Sequence, residues 1–288
     1  CVMTVVGFCV LLCSAFIHAS WNYLSKKADG GVPFIWLFTA IAAVIYTPLA
    51  IGVVIYEKPE IGIWQLVIIM ASILAHLGFF LVLQKGYKKG DLSLVYPIAR
   101  GTGPLLTCML AVAFFGETLT LPAIIGILLI VISILFFTGG VKRLKESGSF
   151  TPVLYGLAVG GIIAAYTLLD KAAVSRFLIP PLLLDYCNTL GRLVILTPYA
   201  AKSWSEVRFE WKHHRMEAVG VGVFNSLAYI LALSVMVFAP VSYVAPVREI
   251  SILIGTVMGA VLLSEGFGRL RIIAAALMVL GVISVAAG

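Results

Sequence analysis

Charge is what this sequence has least of. Asp, Glu, Lys and Arg make up 11% of its 288 residues, about half the share of a soluble domain. With 61% hydrophobic residues and a mean hydropathy of +1.10, a soluble core is excluded and a polytopic membrane protein is expected. The chain also lacks CxxC, HExxH, GxxxxGK[ST] and GxSxG. Those absences argue against a metal site, a nucleotide-binding loop and a nucleophile elbow. No enzyme, cofactor or metal is therefore expected, and an ATP-driven role would need a partner chain. All five cysteines lie in apolar runs, so a disulfide framework is not expected either. The alternating ten-residue pattern of a membrane β-barrel is missing.

What is present is a series of continuous apolar runs: Cys1–Leu24, Val32–Ile55, Ile63–Gln84, Asp91–Phe115 and Leu121–Gly139, then, after the polar break Val141–Ser149, Thr151–Val174, Pro180–Ala200, Glu217–Phe238, Pro240–Leu263 and Ile272–Ala287. In lipid every backbone polar group must be satisfied internally, so runs of this length are helices. The first run lacks a basic n-region and is read as a retained span. Ala201–Met216, with Trp204, Trp211 and the His213-His214 pair, reads as a solvated interfacial loop. The fold class is thus an all-α integral membrane protein with about ten transmembrane helices.

The two halves repeat each other. Trp21-Asn22 and Ser25-Lys26 align with Tyr166-Thr167 and Asp170-Lys171, and GETLT (Gly116–Thr120) matches SEGFG (Ser264–Gly268). Residues 1–139 and 151–288 read as two five-helix repeats joined by a basic linker, 140–150. Five is odd, so the copies lie in opposite directions, an inverted 5+5 repeat of the kind secondary transporters use. The odd-numbered loops hold fourteen Lys and Arg residues; the even-numbered loops hold two, Lys58 and Arg176. The odd loops are therefore expected in the cytoplasm, which accounts for the net charge of +7 without nucleic-acid binding.

Polar groups deep in the spans carry the functional expectation. A helix starting at Asp91 puts Arg100 about 14 Å along its axis, halfway through a hydrocarbon core of about 30 Å. Aligning Ser93-Leu94-Val95 with Ser242-Tyr243-Val244 sets Pro97 opposite Pro246 and Arg100 opposite Glu249. Whether Arg100 and Glu249 contact a substrate or each other stays open from the residues alone. A proline removes a backbone donor and frees a carbonyl one turn earlier, and interrupted helices are where transporters hold solutes. His18, Trp21, Asn22, Tyr96, Arg100, Tyr166, Tyr243, Arg248 and Glu249 are the candidate substrate-binding residues. His76, Asn188, Arg192, Asn225 and Tyr229 are further candidates for the lining. Asp170-Lys171 reads as a boundary feature, and Glu117 and Glu265 as helix-end caps. Arginines outnumber acids at mid-depth, and a guanidinium suits carboxylate or phosphonate.

The paired halves, the WN of the first helix, Tyr166 with Asp170-Lys171, and the closing FGE (Phe115–Glu117) and LSE (Leu263–Glu265) resemble the EamA-type branch of the drug/metabolite transporter superfamily. The resemblance implies ten helices in an inverted repeat, a central cavity lined mainly by helices 1, 3, 4, 6, 8 and 9, and alternating access. HASWN (His18–Asn22) with VYPIARGTGP (Val95–Pro104) is similar to a subgroup associated with phosphonate utilisation. The expectation is a secondary transporter, in a bacterial inner membrane, for a small anionic or zwitterionic metabolite (amino-acid- or aminophosphonate-like). A coupling proton or a counter-substrate would drive it, with His18, His76 and Glu249 as titrating candidates. Two other readings stand beside it: an exporter of cationic or aromatic compounds, and a non-transporting membrane sensor or assembly factor.

Overall fold

The computed structural model describes residues 4–28, 30–89, 92–137, 151–262 and 269–288. The basic linker, Glu265 and the SEGFG segment lie outside the described residues. The helices are α1 (Val5–Ala28), α2 (Val32–Glu57), α3 (Ile63–Lys89), α4 (Leu92–Phe115), α5 (Leu121–Phe137), α6 (Thr151–Ser175), α7 (Pro181–Lys202), α8 (Trp204–Phe238), α9 (Val241–Arg248), α10 (Ile250–Leu262) and α11 (Arg269–Ala287). The described residues are all helix and short connections, with no strand. Among the described residues seven spans are long and apolar enough to cross a membrane by length and composition: α1, α2, α3, α4, α6, α8 and Val241–Met258, which runs across α9 and α10. α5 and α11 are apolar but shorter, and α7 is more polar because it carries Asp185 and Arg192.

Two elements differ from the sequence reading. Ala201–Met216 is not a loop. A turn at Ser203 leads directly into α8, which changes direction at His214, whose φ of −126° and ψ of 25° are not helical. Apolar Val207 is buried, and Trp204 meets Trp36 edge-on with centroids 5.6 Å apart. This first stretch of α8 therefore lies against α2 instead of standing free. The ninth apolar run is the second difference, because it is two helices. Pro246 has no N–H to donate, Glu249 N–H bonds the Pro246 carbonyl at 3.0 Å, and Ile252 N–H bonds the Glu249 carbonyl at 2.9 Å. The axis is interrupted at Arg248-Glu249, the two charged residues of the run.

Contacts between the halves come in matched sets. α1 packs on α8 as α6 packs on α3; α4 packs on α6 as α9 and α10 pack on α1; α2 meets α7, and α5 meets α11. This is the contact pattern of an inverted repeat, each helix treating the other half as its counterpart does. Lipid tails are as apolar as leucine, so helix association in a bilayer depends on close packing and small residues. On α6, Gly156 and Gly160 form a GxxxG face against α4. A Cβ at Gly156 would stand 2.7 Å from Ile98, and one at Gly160 would stand 2.8 Å from Thr102. Across α5 and α11 the fit is reciprocal. A Cβ on Gly126 would lie 2.5 Å from the Gly281 carbonyl, and one on Gly281 would lie 2.8 Å from the Gly126 carbonyl. Ser133 and Ser284 add hydrogen bonds of 2.6 and 2.7 Å across the same pair.

Candidate functional site

The GxxxG contact holds α4 close to the second half, and Glu249, at the junction of α9 and α10, faces it. Arg100 Nη2 and Glu249 Oε2 form an ion pair at 3.1 Å, with 21% and 9% of their side chains accessible. The two positions aligned by sequence thus meet in space. In the described state they contact each other.

A second cluster surrounds Asp170, which is wholly buried on α6. Ser72 of α3 donates to Oδ1 at 2.5 Å. His76 Nε2, one turn further along α3, lies 3.0 Å from Oδ2. The Tyr229 hydroxyl of α8 also donates to Oδ2 and lies 3.5 Å from His76 Nε2. Asn188 of α7 closes the ring by donating to the Ser72 hydroxyl at 3.1 Å. Tyr166 stacks on the His76 imidazole at 4.2 Å between centroids. The Arg248 guanidinium sits over the Tyr229 ring at 5.1 Å, within cation–π range. Five helices therefore converge on one carboxylate.

Asp170-Lys171 is accordingly not a boundary feature. Asp170 is at the centre of the polar interior. Its neighbour Lys171, also buried, donates to the carbonyls of Met236 at 2.7 Å and Ala239 at 3.0 Å, closing the C-terminus of α8. The next connection is fixed by Glu117. Gly116 ends α4 with φ of +66°, a conformation that favours glycine at a helix C-terminus. Glu117 then accepts from the backbone N–H groups of Val241 and Ser242 at 2.8 and 2.9 Å and from the Ser242 hydroxyl at 2.5 Å. It caps the start of α9, the role read for it from sequence. Arg176 reaches the Phe114 carbonyl at 3.0 Å and completes the closure of this end.

The other expected residues are more dispersed. His18 is half-buried on α1 and meets Trp21 edge-on at 5.0 Å. Asn22 is exposed and donates to the His18 carbonyl at 2.7 Å, so its amide serves its own helix. Tyr243 is buried in the apolar core with Val241, Val244 and Val247. Asn225 lies one turn before Tyr229 on α8, and Arg192 one turn after Asn188 on α7; both are half-buried. Tyr96 belongs to α4, but its side chain lies outside the described residues.

Two features escaped sequence reading: Ser72 and the centrality of Asp170. The available signal was spacing. Ser72 and His76, like Tyr166 and Asp170, are four apart and share a helix face.

Apolar helices in matched sets around charges buried between the two halves define a multi-pass membrane protein built as an inverted repeat. Residues 5–139 match the model of the EamA-like transporter family, so the first half of the chain is similar to that family. Over 70 residues it is 40% identical to the uncharacterised protein MJ1333.1 of Methanocaldococcus jannaschii; the match takes in 24% of this chain and 50% of that one. The chain thus spans about half the length of the curated relative it matches. A solved crystal structure of a protein 16% identical in sequence superposes with a TM-score of 0.71, over 97% of this chain and 96% of its own. That likeness concerns the fold alone.

Proposed function

We propose that the protein is a secondary active transporter for a small anionic or zwitterionic metabolite, amino-acid- or aminophosphonate-like, and that it works by alternating access between two five-helix repeats, 1–139 and 151–288. The observation that carries this reading is the Arg100–Glu249 pair at the interruption between α9 and α10. An acidic group on the solute competes with Glu249 for the guanidinium. Exchanging one carboxylate for another keeps Arg100 paired throughout, which avoids stranding a charge in a low-dielectric interior. His18, Trp21, Asn22, Tyr96, Tyr166, Tyr243, Arg248 and Glu249 complete the proposed binding set, with His76, Asn188, Arg192, Asn225 and Tyr229 lining it further. The odd-numbered loops face the cytoplasm, the membrane is a bacterial inner membrane, and no nucleic acid is involved.

The test is uptake into proteoliposomes of radiolabelled glutamate and 2-aminoethylphosphonate, with a quaternary ammonium dye as the cationic arm. Arg100→Ala is expected to abolish uptake of the acidic solutes. Unchanged uptake in Arg100→Ala defeats the anion assignment, and transport of the dye alone transfers the reading to cation export through Glu249.

A further inference from the structure

The Asp170 cluster is not needed to explain an anion exchanged at Arg100, yet it is the most completely bonded polar feature of the interior. Asp170 has no accessible surface, whereas its partner His76 keeps 21% of its side chain accessible. A buried acid behind a partly accessible imidazole is a proton site with an entry. Buried carboxylates and histidines in membrane spans are the usual material of proton relays, and histidine changes charge in the physiological range.

We infer that Asp170 and His76, bridged by Tyr229, form the proton-binding site that drives transport, and that the Arg248-Glu249 break connects it to the solute site. This rests on the transport reading above and names its driving ion. Neighbours on a helix point about 100° apart, and here each serves a different cluster. Glu249 reaches Arg100 at 3.1 Å, and Arg248 covers Tyr229 at 5.1 Å. A solute that displaces Glu249 shifts the break and with it the positive charge beside the Tyr229–Asp170 bond.

The groups facing Asp170 can be named element by element. α3 gives Ser72 and His76. α6 gives Tyr166 through its stack on His76. α7 gives Asn188 through its bond to the Ser72 hydroxyl, with Asp185 and Arg192 about one turn to either side of it. α8 gives Tyr229, α9 gives Arg248, and α4 contributes Arg100 through Glu249. Lys171 points away, to the α8 carbonyls. The interior acids Asp170, Asp185 and Glu249 are matched in number by Arg100, Arg192 and Arg248.

The step is a proton transfer only. An O–H bond of hydronium breaks and an N–H bond forms at His76 Nδ1; the Nε2–H bond breaks as its proton passes to Asp170 Oδ2, which stays a carboxylic acid until the opposite opening releases a proton to water. The oxygens of Ser72, Asp170, Asn188 and Tyr229 bond one another directly and do not surround a central point as metal ligands would. A proton is therefore favoured over a sodium ion.

Two measurements on the full-length protein decide it. The first is pH-difference infrared spectroscopy in lipid without solute. A carboxylic-acid carbonyl band that grows as the pH is lowered is expected in the wild type and in Glu249→Gln, and is expected to be lost in Asp170→Asn and displaced in His76→Gln. The second is accumulation of glutamate or 2-aminoethylphosphonate under an imposed proton gradient, a sodium gradient or none. One proton per solute gives about tenfold accumulation for a gradient of about one pH unit, falling to about onefold in Asp170→Asn and His76→Gln. Absence of the band in the wild type, its persistence in Asp170→Asn, or accumulation under sodium alone overturns the inference. If the band behaves as expected and neither solute moves, the proton site is supported and the chosen solute class fails. Using two isosteric variants keeps the result readable where one of them folds poorly.

Discussion

The Arg100–Glu249 pair can be weighed by a double-mutant cycle. With an N···O distance of 3.1 Å, the charge centres are about 4 Å apart, and at an effective dielectric constant of about 20 their attraction is about 4 kcal/mol. Removing one partner strands the other in a poorly solvated site and costs about 3–5 kcal/mol, whereas removing both leaves no stranded charge. The variants are Arg100→Gln, Glu249→Gln and the double. Glu249→Gln is expected to be the worse single, because both Arg100 and Arg248 lie near that carboxylate. For a chain of this size about 1 kcal/mol moves the melting point by about 2 °C. Each single substitution is then expected to lower the midpoint by about 6–10 °C in detergent, and the double by less than either. The assay is thermal unfolding followed by tryptophan fluorescence at fixed pH and lipid content. Additivity within about 0.5 kcal/mol would mean that the two residues do not depend on each other, and the exchange argument for Arg100 would fall with it.

Other consequences are open to the same kind of measurement. Lys171→Met removes a charged donor from two α8 carbonyls and is expected to cost about 1.5–3 kcal/mol, read as a melting-point loss of about 3–6 °C. Gly281→Val puts a side chain where a Cβ already meets the Gly126 carbonyl at 2.8 Å. An overpacking cost of about 1–3 kcal/mol or more is expected, and Gly52→Val, where nothing lies within 4 Å, serves as the tolerant control. Cysteine placed at Lys58 is expected to react with an impermeant maleimide in intact cells, and cysteine at Lys202 only after lysis. The reverse pattern would invert the topology drawn from the basic residues.

Much of the fold was legible because membranes simplify the reading. Continuous apolar runs leave helices as the answer, and the basic residues and the repeated motifs set the halves. Sequence pattern failed where a charged stretch was taken for a loop. Trp204–His213 is helical, with Trp204 against Trp36 of α2 and Val207 buried, a choice invisible to mean polarity. The broken ninth run was partly legible in Pro246, but a proline does not say whether a helix bends or stops. At the site, the alignment of Arg100 with Glu249 anticipated a real contact. Asp170 was misjudged because its depth was taken from its place near the end of an apolar run. α6 continues to Ser175, and the acid faces α3 and α8 instead of the membrane surface. Depth along one helix is readable from sequence; which neighbours enclose a side chain there is not.

Opposite charges at corresponding positions of two copies have a historical corollary. In a symmetric pair of separate half-length chains, any residue facing its own counterpart across the dyad meets an identical side chain. Arginine would face arginine, or glutamate would face glutamate. The 3.1 Å bridge between Arg100 and Glu249 can arise only once the copies are encoded independently. On that view the bridge dates to after the two copies began to diverge. The glycines at 126 and 281, identical across their contact, keep a feature that a symmetric ancestor could already have had.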